Sequence, residues 1–124
     1  MLNGYRDLIV YTKAYELSIS IYYLSTEFPK EETYSLTSQI RRSSRSVAAN
    51  ICEAWAKRTY RKAFINKLTD SLGESNETEH WLKTAYDIGY IEEEKCLNLL
   101  GRCQEVQKML ASMIRKPDKF LSNH

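Results

Sequence analysis

Between Arg41 and Lys67 the chain carries eight basic side chains (Arg41, Arg42, Arg45, Lys57, Arg58, Arg61, Lys62 and Lys67) and one acid, Glu53, a net of +7. The next stretch, Leu68 to Glu94, reverses this with eight acids and one lysine, a net of −7. Opposed blocks of this kind do electrostatics rather than bond chemistry: the basic block attracts phosphate. Lys57, Arg58, Arg61 and Lys62 crowd a turn and the start of the following helix, where backbone N–H groups also favour anions. Arg41 and Arg45 extend the set along the preceding helix. Tyr60 stands among them, placed either to stack on a base or to pack beside Phe64. Two other uses of the charge compete: a solvated surface with internal ion pairs, and head-to-tail contacts between copies of the chain.

Covalent chemistry has less to work with. The two histidines are His80, flanked by Glu77, Glu79 and Lys83, and His124 in the tail. A di-metal helical bundle needs Glu-x-x-His on two helices, and Glu77 to His80 supplies that spacing only once. Gly-rich phosphate loops, nucleophile elbows and Cys-His pairs do not occur. Cys52, Cys96 and Cys103 are odd in number and fall on or beside apolar faces, as buried reduced thiols do. The expectation is a non-enzyme with no cofactor and no metal.

Residues 33–57 carry three stripes on one helix. Leu36, Ile40, Val47, Ile51 and Trp55 share an apolar face at spacings of three, four or their sum. Gln39, Ser43, Ser46 and Asn50 run beside it and close on Glu53, with Arg41, Arg42 and Arg45 opposite. A surface helix needs only a core face and a solvent face, so the polar stripe has a further surface to satisfy. Gln39, Asn50, Glu53 and Glu77, with Arg42 as charge partner, are expected as a buried network fixing helix register or as a subunit contact. An orphan buried polar group costs roughly 1–3 kcal/mol, so either way they must be paired.

The elements that position these groups are all helical. The 124 residues, 43% hydrophobic and 27% charged, make one domain of ordinary globular composition. Only two Pro and four Gly interrupt long periodic stretches. The first helix is expected over about 7–27 on the seam Val10, Ala14, Leu17, Ile21, Leu24 and Phe28, with Pro29 as its stop. The second covers 33–57 with Thr33 as N-cap. The third covers 59–88 with Thr59 as N-cap, a buried line of Phe64, Leu68, Leu72, Ser75, Leu82 and Ala85, and Gly89 in the left-handed position after it. The fourth covers 92–116 on Cys96, Leu100, Cys103, Val106, Leu110 and Met113, leaving a frayed tail over 117–124. Tyr11, Tyr15 and Tyr22 line the first helix as a packing or subunit edge. Four long helices with short connections predict an all-α, antiparallel up-down-up-down four-helix bundle. The N-terminus lacks the features of a secretory signal and no apolar run approaches the roughly 20 residues that span a bilayer, so a cytoplasmic protein without a membrane partner is expected.

Two blocks carry a family resemblance. Phe28, Pro29, Glu32, Tyr34, Leu36, Gln39, Ile40, Arg42, Ser46, Asn50, Ile51 and Glu53 form the first; Glu74, Asn76, Glu77, Thr78, Trp81 and Leu82 form the second. Asp87, Gly89, Tyr90 and Ile91 follow as a closing helix–helix turn. In these the chain resembles the four-helix-bundle proteins encoded in intervening sequences of bacterial 23S rRNA genes, over roughly Tyr5 to Ile114. It departs at Ala54, where many members have glycine, which implies a second helix that continues through this point. The resemblance implies a homopentameric ring or barrel. It extends to the accessory variability determinant of diversity-generating retroelements, a basic pentamer that engages a reverse transcriptase and nucleic acid. By that analogy the partners are further copies of the chain and RNA, DNA or a nucleic-acid-processing protein. Two functional classes follow. One is a nucleic-acid-binding oligomer that uses Arg41, Arg45, Lys57, Arg58, Arg61 and Lys62. The other is a protein-interaction scaffold whose charge serves only assembly.

Overall fold

Each of the four amphipathic patterns becomes a helix. In the computed structural model, which describes residues 2–122, α1 spans Ile9–Ser25, α2 Leu36–Ala56, α3 Arg61–Asp87 and α4 Glu93–Arg115. Successive helices pack against each other and α4 closes back on α1, giving the all-α up-down-up-down bundle. At 1.5 Å per residue the longest helix, α3, measures about 40 Å.

The helices are one to three residues shorter at each end than their sequence bounds, for local reasons. At the close of α1 the backbone tightens into i→i+3 bonds, with the N–H groups of Thr26, Glu27 and Phe28 donating to Tyr23, Leu24 and Ser25. Pro29 disfavours helical backbone at Phe28, so the unwinding precedes it. Thr33 is not the N-cap of α2; its hydroxyl donates to the Lys30 carbonyl within a short 3-10 turn, Lys30–Glu32. The helix starts three residues later, where the Glu32 carboxylate accepts from the Ser35 hydroxyl (2.6 Å) and the Leu36 N–H (3.4 Å). The N-cap position of α3 likewise falls on Tyr60 rather than Thr59. Ala54 sits within α2, fully buried, so the helix does run through the position where the glycine is missing.

Gly89 adopts φ +88°, and the chain reverses there as a Schellman motif: the Tyr90 N–H donates to the Ala85 carbonyl (2.8 Å) and the Gly89 N–H to that of Tyr86 (3.0 Å). The reversal places Tyr90 against Phe28 and directs its hydroxyl to Glu32 at 2.8 Å.

The core has two halves. One, toward the end that holds the α2–α3 turn, the start of α1 and the end of α4, centres on Val10, Ile51, Phe64, Leu68, Val106 and Leu110. The other, toward the α1–α2 and α3–α4 connections, centres on Ile21, Ile40, Leu82, Leu99 and Cys103. Four seam positions shift. Leu99 rather than Leu100 faces inward on α4, Ser71 is buried on α3 while Leu72 is only partly so, and Leu24 and Trp55 are partly buried beside buried Ser25 and Ala54. The buried polar seam is made of small hydroxyls. Ser71 donates to the Val47 carbonyl at 2.7 Å, Thr78 meets Ser43 at 2.9 Å, and Ser75 lies beside Cys103. No described buried side-chain nitrogen or oxygen lacks a partner. Burial raises the thiol pKa of Cys96 and Cys103, as in unreactive core cysteines.

The tail is not frayed over its described part. Pro117 is buried, Asp118–Phe120 form a 3-10 turn, and Phe120 and Leu121 pack on the core. An ion pair from Arg61 to Asp118 and a bond from the Ser122 N–H to the Arg58 carbonyl (3.2 Å) fasten it across the α2–α3 turn. His124 lies outside the described residues.

Candidate nucleic-acid interface at the basic end

Antiparallel packing turns charge order along the chain into charge order along the bundle. Consider the connecting segments with the last three residues of each helix. One end then carries Arg6, Lys57, Arg58, Arg61, Lys62, Arg115, Lys116 and Lys119 against Asp7 and Asp118. The other carries Glu27, Glu31, Glu32, Asp87, Glu92, Glu93 and Glu94 against Lys30 and Lys95. The first end therefore draws cations from three separate stretches of chain. Arg6, Arg115, Lys116 and Lys119 are its unforeseen members. They stand too far from the α2–α3 turn in sequence to read as one block, though the up-down topology alone places the end of α4 beside that turn.

Within this end the cations differ in freedom. Arg58 is committed to structure: its guanidinium lies over the Trp55 ring at 4.0 Å and donates to the Trp55 carbonyl at 2.9 Å. Arg61 pairs with Asp118, and Arg6 lies over Tyr5 at 5.5 Å. Lys57, Lys62, Arg115 and Lys116 are exposed, and none joins an ion pair among the described residues. Tyr60 is 70% exposed among them, so most of its ring is left to solvent rather than buried beside Phe64. Nearby, between the start of α1 and the end of α4, a groove of about 540 Å³ is lined by apolar side chains including Leu8, Met109, Met113 and Phe120, together with Asp7, Lys108, Lys116 and Lys119.

Arg41 and Arg45 belong elsewhere. Arg45 precedes Lys57 by twelve residues, about 18 Å along the helix axis. Arg41 donates to the Ser25 hydroxyl at 2.7 Å, and both guanidiniums lie over the Tyr22 ring, at 4.6 and 5.7 Å. This flank of α1 and α2 also exposes Tyr15 (50%), Ile19 (42%) and Tyr23 (66%), an apolar and cationic strip apart from the basic end.

The polar set also divides, and in the single chain it is not buried. Arg42 is its hub: Nε donates to Gln39 at 3.3 Å, Nη1 to Glu74 at 3.0 Å, and Nη2 to Glu77. The Trp81 indole N–H donates to Glu77 at 3.0 Å. That bond first, and Arg42 second, hold the Glu77 carboxyl below the usual carboxylate range. Glu53 pairs instead with Lys67 at 2.8 Å, and Asn50 donates to the Ser46 carbonyl of its own helix. These groups lie along the α2–α3 groove, with the Arg42 and Glu53 side chains 46% and 54% exposed. The expected burial of this set is not found in the single chain: these positions stand at the rim of the groove, not in the core.

Other chemistries find no constellation. Among the described residues no group of three His, Cys, Asp or Glu side chains is arranged to hold a metal ion. His80 is exposed against the edge of Trp81. No described helix is long and apolar enough to cross a membrane. The arrangement can hold polyanion on one end by charge, and offers an apolar flank for packing.

Comparison with known proteins agrees with this architecture. The model of the family described as 23S rRNA-intervening sequence protein matches residues 6–112. Among solved structures, a protein of unknown function from the S23 ribosomal protein family of Bacteroides thetaiotaomicron is similar at 35% identity and a TM-score of 0.80. The match covers 87% of this chain and 96% of that one. No curated protein matches.

Proposed function

We propose, for a chain that belongs to the 23S rRNA-intervening sequence protein family, a non-enzymatic bundle that binds the phosphate backbone of nucleic acid with its basic end. It assembles with copies of itself, five being the number the family resemblance implies, through the flank of α1 and α2. The observation that carries the binding reading is the convergence of eight cations from three chain segments on a surface with two acids. Phosphate contact of this kind is strongly salt-dependent and largely indifferent to sequence. Arg41 and Arg45, stacked over Tyr22 beside exposed Tyr15, Ile19 and Tyr23, serve assembly in this reading rather than phosphate.

The test is anisotropy of labelled RNA and DNA at two salt concentrations. Lys57→Glu, Lys62→Glu and Lys116→Glu together should weaken binding by at least about tenfold and flatten the salt slope. Unchanged binding by that triple variant overturns the reading. A second reading has its own support: the ends are opposite in charge, so the acidic end of another copy also fits the basic one. In that case light scattering shows salt-sensitive growth of the assembly and no nucleic acid is bound.

A further inference from the structure

We propose that the basic end takes single-stranded rather than duplex nucleic acid, with Tyr60 as a platform on which an unpaired base stacks. This deepens the phosphate-binding reading and rests on it. Tyr60 occupies the residue before α3 with extended backbone, φ −111° and ψ 105°, fixed by bonds from its N–H to the Lys57 carbonyl and from the Phe64 N–H to its own carbonyl, both 2.9 Å. The ring stands out from this anchored turn at 70% exposure, and no described ring or cation stacks on it. Trp55, close by, is already covered by Arg58, which leaves Tyr60 as the open aromatic face among Lys57, Arg61 and Lys62.

An exposed ring inside a cationic cluster matches one ligand chemistry, a flexible polyanion with accessible π faces. A duplex offers its phosphates but keeps its base faces stacked inside. Reading it in the major groove takes a protruding helix or ribbon. Here all four helices stop at this surface, under turns and the packed tail, so no described helix or ribbon extends beyond it. The opposite end provides an internal control: Tyr34 is 94% exposed but lies beside Glu31 and Glu32.

The experiment compares one oligonucleotide sequence as single strand and as duplex, binding to the full chain at fixed salt. Tyr60→Ala should weaken single-strand binding by about tenfold and leave duplex binding unchanged. Tyr60→Trp should preserve it, and Tyr34→Ala should change neither. Circular dichroism checks that the variants remain helical. A fluorescent base analogue in the strand should be quenched by the wild type and not by Tyr60→Ala. Equal binding of strand and duplex, indifferent to Tyr60→Ala, overturns the stacking inference and leaves the phosphate reading intact. Absence of binding to either form overturns both.

Discussion

At one end of the bundle Glu32 accepts hydrogen bonds from Ser35, from the Leu36 backbone and from Tyr90, while Tyr86 donates to Glu93. At the other, Lys57, Lys62, Arg115 and Lys116 extend into solvent, and Arg61 pairs with Asp118. Both ends close the same kind of helix pair, yet they use their charges differently. Glu32 at the first end accepts from backbone and hydroxyl donors of the turn, and Glu93 from Tyr86. Four of the eight cations at the second, Lys57, Lys62, Arg115 and Lys116, join no ion pair among the described residues. Cations gathered at one end attract polyanion by charge alone.

The comparison predicts that the two ends are equal in their cores and unequal on their surfaces. Phe64→Ala under the basic end and Leu82→Ala under the acidic end should each cost about 3 kcal/mol in urea unfolding, since both side chains are fully buried. A much smaller loss at one of them would mean that end opens independently. Next in size, Gly89→Ala should cost about 1–2 kcal/mol, because its φ of +88° strains any side chain. Wild-type stability retained by that variant would show that the Schellman turn is dispensable.

Acid should then act on Glu32 at the acidic end and on Glu77 in the α2–α3 groove. Ser35 first and Tyr90 second lower the Glu32 pKa, and Trp81 with Arg42 lowers that of Glu77. Folded values below the ordinary 4.5 mean stability that is present above that pH and lost as pH falls through the folded values. The double variant Glu32→Gln, Glu77→Gln should flatten the fall of the urea midpoint below pH 4.5. An unchanged slope would detach these bonds from acid stability. The smallest effects belong to the basic end: Lys57→Ala, Lys62→Ala and Lys116→Ala should each stay within about 0.5 kcal/mol of wild type. A larger loss at any of them would give that lysine a structural task and weaken its claim as a ligand group.

Much of this was legible in the sequence, for a physical reason. Helical periodicity, the Pro29 stop and the glycine at position 89 are local signals, each fixed by backbone sterics within a few residues. The four helices and their order followed from them. The candidate site was legible only in part. The turn cluster from Lys57 to Lys62 is contiguous and was visible as a block. Arg115, Lys116 and Lys119 lie more than fifty residues away in sequence and meet it only because α4 runs antiparallel to α3. Arg41 and Arg45 read as part of the same cationic run, but helical rise carries them to the Tyr22 flank.

The polar stripe shows the same division. Sequence spacing placed Gln39, Arg42, Asn50 and Glu53 beside the apolar face, and the second block supplied Glu77. Which of them pair was decided by the axial stagger of α2 on α3. That stagger brings Arg42 level with Glu74 and Glu77, sets Glu53 against Lys67, and leaves Asn50 on its own helix. By itself, then, the sequence determined the four helices, their order and the breaks at Pro29 and Gly89, because these depend on interactions within a few residues. The tertiary structure decided the opposed ends, the split of the arginines and the open face of Tyr60, because these depend on where antiparallel packing brings distant segments together.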